Sequence, residues 1–345
     1  MNATEPFHYP FEFRGQLGEF WRLWWRDILL CVVTLGVYIP WAQINIRRYF
    51  YRNTWLNGEV FNYTGNPIVI LRGRALSLGL LAGCGVSAYY HAGWMLAISA
   101  FLLVILWPRL LLQSRRYTLR HTVYRGVHFD CDANYWQILA WWLIGGLLVL
   151  ASAGLAYPYW SCWQYRLFID TSCYGTSYFE FNAALGKFYR AACHTFFATV
   201  LVALTMFGIY HISPFFVDQP TYFEHFESVY FLLTLLLPLG MIVCAVARAH
   251  KDQLLAQHIQ LHTHRFHSTI TAPELAWVYF SNTLLVMFTC GLLLPWAIYR
   301  AQAYRIACLR LCPDGDWEAF ITAEQERAET IGEEFQMHSG MEIAL

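Results

Sequence analysis

The stretch Thr34-Leu35-Gly36-Val37-Tyr38-Ile39-Pro40 decides how this chain is organised, because its spacing of Thr or Ser, Gly and Pro occurs three times. The other two copies are Ser152-x-Gly154-x-x-x-Pro158 and Thr289-x-Gly291-x-x-x-Pro295. Glycine and proline both weaken a helix, so the motif predicts a bend where a helix leaves an apolar segment. We interpret six residues as span-end hinges: Gly36, Pro40, Gly154, Pro158, Gly291 and Pro295.

Uncharged runs surround these motifs. Of the 345 residues, 57% are hydrophobic and 13% are charged, whereas a soluble domain carries about 25% charged residues. The runs are 28–46, 75–107, 133–165, 191–217, 228–247 and 275–299. A bilayer core of about 30 Å takes about 20 helical residues, and the run 75–107 suffices for two helices. The sequence therefore predicts an all-α polytopic membrane protein with about seven transmembrane helices.

A second spacing links prolines to phenylalanines. Pro40, Pro108 and Pro158 each precede a phenylalanine by 21 residues, at Phe61, Phe129 and Phe179. These phenylalanines lie in alternating segments such as Phe179-Glu180-Phe181, and a period of two predicts a short extended segment. Within a single membrane domain, 1–345, we therefore expect repeat-like units 11–61, 61–129, 129–179, 179–266 and 266–320, followed by a polar C-terminal tail, 321–345.

A resemblance to a known family rests on two groups of residues. The first group comprises Thr34–Ala42, Arg48–Phe50, Asn53, Thr54 and Gly58, and the second comprises Tyr124–Gly126 and Phe129. Both resemble the YjgN family of bacterial inner-membrane proteins, over nearly the whole chain. The pattern departs in the last third, at the histidine-rich loop before Phe266. The resemblance implies a multi-pass protein of the bacterial inner membrane and supplies no mechanism, because the family's biochemical function is unassigned.

The distribution of basic residues predicts an orientation. Seven crossings put fourteen of the Lys and Arg residues on the side of the C-terminus and nine on the other, which favours a cytoplasmic C-terminus. In an alternative, the three single segments that carry the Gly-Pro motif dip into the membrane and return, and the extended segments pair with one another. Re-entrant backbone requires a lining of protein or water. We prefer crossings, because about 20 apolar residues precede each of these prolines.

Paired arginines are candidates for lipid headgroup contacts. They are Arg47, Arg48 and Arg52 in one segment and Arg115, Arg116 and Arg120 in the next. Arginines four residues apart share a helix face, and each basic residue near a membrane surface adds about 1 kcal/mol of attraction to anionic lipids. The alternative is ordinary anchoring of the cytoplasmic helix ends.

A histidine cluster is a weaker candidate for a metal site. His258 and His262 are four residues apart, so a helix would place both imidazoles on one face, as zinc requires. The alternative is a solvated amphipathic helix that follows Pro238.

Enzyme signatures are missing from the sequence. It contains no Gly-x-Ser-x-Gly, phosphate-loop or His-Glu-x-x-His motif, so we expect no enzymatic activity and no cofactor. Net charge is zero, so we expect no nucleic-acid partner.

Our leading hypothesis is an inner-membrane protein, with membrane lipids as partners, that binds or transports a small amphiphile or lipid. The alternative is a scaffold or sensor that binds a partner through its cytoplasmic helices. A carrier is expected to have a polar or roomy cavity lined by Thr34, Ser152, Thr289 and Asn282.

Overall fold

Short strands alternate with helical hairpins in the computed structural model, which describes residues 8–89, 93–212, 240 and 243–343. The strands are β1 (Tyr9–Phe13), β2 (Thr54–Leu56), β3 (Glu59–Tyr63), β4 (Thr122–Tyr124), β5 (Val127–Cys131), β6 (Ser172–Tyr174), β7 (Ser177–Phe181), β8 (Ile259–Leu261), β9 (His264–Ser268) and β10 (Leu309–Cys312). The helices are α1 (Leu17–Val33), α2 (Ile39–Arg52), α3 (Pro67–Tyr89), α4 (Gly93–Arg120), α5 (Tyr135–Ala151), α6 (Tyr157–Asp170), α7 (Leu185–Ile212), α8 (243–258), α9 (Ala272–Phe288), α10 (Leu294–Ala307) and α11 (Trp317–Ile343).

The strands form one closed barrel in the order β1-β10-β9-β8-β7-β6-β5-β4-β3-β2. Neighbours are antiparallel, with Phe11 opposite Leu56 and Phe61 opposite Tyr124. Two-residue turns join β2 to β3 and β4 to β5, and both residues of each turn have positive φ, 49° and 79° in the first and 47° and 82° in the second. Such angles are those of the type I′ turn, which suits the twist of a hairpin.

The prediction of an all-α protein with about seven transmembrane helices is therefore wrong. The run 28–46 is not one helix: it holds the end of α1, a turn, and the beginning of α2, which returns beside α1. The runs 133–165 and 275–299 divide in the same way into α5 and α6, and into α9 and α10. Within the part of the chain that the structure describes, one helical stretch, Ala97–Arg120, is long and apolar enough to cross a bilayer, and Tyr135–Ala151 is a shorter apolar helix.

The Gly-Pro motif forms the turn at the tip of each short hairpin. Leu35 and Gly36 have φ of 50° and 89°, and the corresponding pairs in the other two copies have 49° and 91°, and 50° and 88°. The Thr34 hydroxyl donates to the carbonyl of Leu30 at 2.7 Å and accepts from the backbone N–H of Tyr38 at 3.1 Å. Ser152 and Thr289 make the equivalent two bonds. One hydroxyl thereby links the last turn of one helix to the first turn of the next.

The motif's prolines begin the returning helices. Pro40, Pro158 and Pro295 are the second residues of α2, α6 and α10 and are buried. Proline suits the first turn of a helix because its missing N–H would have no partner inside that helix.

The chain forms two compact units. The first comprises Met1–Asn182, Ile259–His267 and Arg310–Leu345 and contains the barrel with α1–α6 and α11; the second comprises Ala183–His258 and Ser268–Leu309 and contains α7–α10. In the second unit, Asp252 pairs with Arg305 at 2.6 Å and accepts from the Tyr279 hydroxyl at 2.6 Å. Of the expected unit 179–266, residues 213–239, with Pro238, lie outside those described, as does most of the run 228–247. The expected tail begins inside α11.

Candidate apolar binding site

Five phenylalanines, one from each odd-numbered strand, form a layer inside the barrel: Phe11, Phe61, Phe129, Phe179 and Phe266. Strands two apart in a sheet are separated by about 9–10 Å. Ring centroids on such strands nevertheless lie only 6.2 Å apart for Phe11–Phe61 and Phe129–Phe179, and 6.4 Å apart for Phe11–Phe266 and Phe179–Phe266. The side chains therefore converge into the lumen. Each is only partly buried, so this phenylalanine layer keeps some exposed apolar surface.

A second layer, the inner layer, comes from the last or penultimate residues of the even-numbered strands: Leu56, Tyr124, Tyr174, Leu261 and Leu311, all buried. The hydroxyl of Tyr124 donates to the carbonyl of Leu56 at 2.9 Å, and that of Tyr174 donates to the carbonyl of Tyr124 at 3.1 Å. Burial raises the pKa of Tyr124 to about 12 and also raises the pKa of Tyr174. Both phenols are therefore neutral at physiological pH, and the inner layer presents an uncharged surface to the lumen.

Helix α11 closes the barrel beneath the inner layer. Its residues Trp317 and Ile321 are buried in the same core as the inner layer. Phe320 packs against the imidazole of His264, with centroids 4.7 Å apart, and burial lowers the pKa of that histidine. Glu318 of α11 pairs at 2.5 Å with Arg125, which lies in the β4–β5 turn. The lumen thus has a floor made by α11.

A buried carboxylate fixes α11 to the β6–β7 turn. Glu324 is 0% exposed and accepts from the backbone N–H of Thr176 at 2.6 Å and from the hydroxyl of Ser177 at 3.0 Å. The Thr176 hydroxyl donates to it at 3.0 Å, and Arg327 pairs with it at 2.9 Å. Because a buried charge is stable only when its hydrogen bonds are satisfied, these donors determine where α11 sits.

Together the two layers and α11 line the inside of the barrel with apolar and aromatic side chains that pack on one another. A barrel of about eight strands is just wide enough to be filled by side chains or to hold one small ligand, and this one has ten. The aromatic faces and the floor supply non-polar contact, which binds chains or rings rather than ions.

The six candidate headgroup arginines fall into three pairs, of which two make hydrogen bonds or ion pairs within the protein. Arg48 donates to the carbonyl of Tyr63 at 3.4 Å; Arg116 donates to those of Cys131 at 3.0 Å and Ala133 at 3.1 Å. These bonds close the ends of β3 and β5. Arg47 donates to the Thr118 hydroxyl at 2.9 Å, and Arg120 pairs with Asp130 at 2.8 Å. The remaining two, Arg52 and Arg115, are exposed.

Arg116→Gln is expected to lower the free energy of unfolding by about 2 kcal/mol, because it removes two charge-assisted hydrogen bonds to strand-end carbonyls. Thermal unfolding in detergent checks this. The matched control is Arg115→Gln, which loses a contact 5.8 Å from the ring of Phe168 and is expected to change stability by about 0.5 kcal/mol or less. Equal effects of the two substitutions would contradict this division of roles.

The two candidate metal ligands do not share a helix face. His258 ends α8, and its ring nitrogens lie 2.8 Å from the carbonyl oxygen of Leu254 and 2.6 Å from the Nζ of Lys187. His262 lies in the β8–β9 turn with φ of 54° and is exposed. Among the described residues, no group of three His, Cys, Asp or Glu side chains could hold a metal ion.

The polar groups expected to line a carrier cavity are engaged within their own hairpins. The hydroxyls of Thr34, Ser152 and Thr289 belong to the tip turns. Asn282 donates to the carbonyl of Ala297 at 3.0 Å and accepts from Arg300 at 3.1 Å. These four residues therefore stabilise hairpins.

A buried polar pair in the hairpins escaped the sequence interpretation. Asp27 is 2% exposed and accepts from Asn45 at 3.0 Å. Asp27 and Asn282 both lie seven residues before the Thr of their motif, and Asn45 and Arg300 both lie eleven residues after it. The shared offsets were the signal that could have revealed these pairs. Glu324, in contrast, gave no local signal.

The first compact unit defines a class of protein: a closed strand barrel that carries helical hairpins, with a C-terminal helix as floor. The chain belongs to the family described as bacterial protein of unknown function (DUF898), whose profile matches residues 8–337. An inner membrane protein YjgN of Salmonella typhimurium is 24% identical over 354 residues, covering 86% of this chain and 86% of that protein.

A second relative, an inner membrane protein YjgN of Escherichia coli O157:H7, is 24% identical over 167 residues, covering 45% of this chain and 38% of that protein. No solved structure matches the chain. The resemblance to the YjgN family is thereby confirmed, and the names of the relatives support an inner-membrane location.

Proposed function

We propose that this inner-membrane protein binds a small amphiphile or lipid whose apolar part enters the barrel at the phenylalanine layer. The observation that carries the proposal is the partly exposed phenylalanine layer above a closed floor. An aromatic lining buries apolar surface at about 25 cal/mol per Å², and the neutral Tyr124 and Tyr174 place no buried charge beside the ligand. Binding requires no catalytic group, and none is assigned.

We also propose an orientation in the membrane. We place the barrel and the C-terminal helix on the cytoplasmic side, with the longer α3–α4 hairpin crossing the membrane. The support is the run of arginines just before β2 and β4, since cytoplasmic segments are enriched in Lys and Arg. Arg52 and Arg115, which are exposed, are the headgroup contacts on this side. Transport would additionally require α11 to move away from the floor of the barrel.

Phe179→Ala is expected to weaken binding of a fluorescent long-chain fatty acid by tenfold or more, because the ligand would cover this aromatic side chain and truncating it removes about 1.5–3 kcal/mol of apolar contact. Phe179→Trp is expected to weaken binding as well, since it narrows the opening without creating a cavity. Equilibrium titration of purified protein in detergent gives the dissociation constants.

The control is Phe101→Ala, a phenylalanine exposed on α4, for which affinity is expected to stay within twofold. An unchanged affinity in both Phe179 variants, with an unfolding temperature like that of the parent, would refute the site. If the parent chain binds neither the fatty acid nor phospholipid, the scaffold alternative is favoured.

A further inference from the structure

We infer that the short hairpins α1–α2 and α5–α6 enter one leaflet of the bilayer and return without crossing it. This inference does not depend on the proposed ligand. Their partner is the acyl-chain region of the leaflet nearest the barrel. The first support is that the hairpin tips are apolar and exposed: Leu35 is 95% exposed, and Leu150 and Leu155 are 79% and 77% exposed. Contiguous exposed apolar surface of this kind marks a membrane or protein contact.

The backbone of each tip is built for a medium without water. Every N–H from residue 34 to residue 39 has a partner: Gly36 donates to Cys31 at 2.7 Å, Val37 to Thr34 at 3.1 Å and Ile39 to Gly36 at 3.2 Å, and the N–H groups of residues 34 and 35 bond back into α1. The N–H of Tyr38 donates to the Thr34 hydroxyl. Pro40, two residues further on, has no N–H and so needs no acceptor. Hydrocarbon tolerates non-helical backbone only when its polar groups are satisfied internally.

The second tip repeats this arrangement. The N–H groups of Ala153, Gly154 and Leu155 donate at 3.1, 2.8 and 3.1 Å, and that of Tyr157 donates to Gly154 at 3.0 Å. The N–H of Ala156 donates to the Ser152 hydroxyl at 2.9 Å. The Thr/Ser-x-Gly-x-x-x-Pro motif is therefore the sequence of a turn whose N–H groups need no solvent partner.

Charged residues limit how deep the hairpins reach. Arg47 lies about 12 Å along α2 from its first residue and Arg166 lies about 13 Å along α6, each being the first charged residue after its tip. A crossing would need about 20 apolar residues and roughly 30 Å. The apolar part of each returning helix therefore matches about one leaflet, with the arginine at its surface.

Cysteine labelling tests the inference. Leu35→Cys places a thiol at the tip; Gly18→Cys and Arg52→Cys place thiols at exposed positions near the two ends of the same hairpin. A membrane-impermeant maleimide is applied to intact cells and to inside-out vesicles, and labelling is measured above that of the unsubstituted chain. We expect both base positions to label from the same side, the tip to label from neither side at more than a tenth of the base level, and a membrane-permeant maleimide to reach all three.

Labelling of the tip from the side opposite the bases would show a crossing, and efficient labelling from the same side would show a tip in water; either result overturns the inference. Leu155→Cys repeats the measurement on the second hairpin. A spin label on the Leu35→Cys tip is expected to be more accessible to oxygen than to a water-soluble nickel complex, and the reverse ratio would also overturn it.

Discussion

Replacing Glu324 by alanine is expected to lower the free energy of unfolding by about 3 kcal/mol and to release α11 from the barrel. The substitution leaves the N–H of Thr176 and the hydroxyls of Thr176 and Ser177 without their shared acceptor. Ser177 is buried, and a buried donor without an acceptor costs about 1–3 kcal/mol; the loss of the ion pair with Arg327 adds to this. Denaturation in detergent measures the loss of stability. Hydrogen exchange of the α11 amides, which is expected to accelerate before that of the barrel strands, reports the release.

The matched control for this prediction is Glu326→Ala. Glu326 is exposed on the same helix, and removal of a surface carboxylate changes stability by about 0.5 kcal/mol or less. Equal losses in the two variants, or unchanged exchange of α11 in the Glu324 variant, would show that the buried carboxylate does not fix the helix.

Gly145→Ala is expected to lower the free energy of unfolding by about 3 kcal/mol as well, through overpacking of α5 against α6. A Cβ at Gly145 would lie 2.1 Å from Cδ1 of Trp160. That indole cannot easily move, because its Nε1 donates to the carbonyl of Trp141 at 3.0 Å, while the Trp141 indole donates to the carbonyl of Trp160 at 3.2 Å. Thermal unfolding in detergent measures the change.

The neighbouring glycine provides the control. A Cβ at Gly146 meets nothing within 4 Å, so Gly146→Ala is expected to leave stability unchanged or to raise it by up to about 1 kcal/mol, the difference in helix propensity. If Trp160→Leu is added to Gly145→Ala, the two losses are expected to be less than additive, because the smaller side chain makes room for the methyl group. Full additivity would contradict the overpacking account.

The sequence predicted the positions of the tip turns but not their path. The spacing of Thr34, Gly36 and Pro40 singled out the same three places that the structure makes into turns. Counting the apolar residues in a run predicts a membrane span only if one helix continues through the whole run. The chain reverses direction because the residue before each glycine is in the left-handed conformation. These residues are Leu35, Ala153 and Cys290, and none of these residue types favours that conformation.

Only some of the barrel strands were predictable from the sequence. Alternation around Phe61, Phe129 and Phe179 predicted extended segments, and these are strands β3, β5 and β7. Their partners β2, β4 and β6 have three residues each, too few for a period to be recognised. We predicted that Glu324 lies in a polar tail. Its role as an acceptor was not predictable, because its donor Thr176 is 148 residues away in the chain.

The pairing of β1 with β10 has a consequence for biosynthesis. The first strand leaves the ribosome long before the last. The partly synthesised sheet therefore has two edges whose backbone groups lack hydrogen-bond partners until the segment Leu309–Cys312 has emerged. Open edges recruit other chains, and slow, non-local closure prolongs that exposure. A chain cut short before residue 309 would keep both edges, which makes premature termination an aggregation hazard as well as a loss of the floor helix.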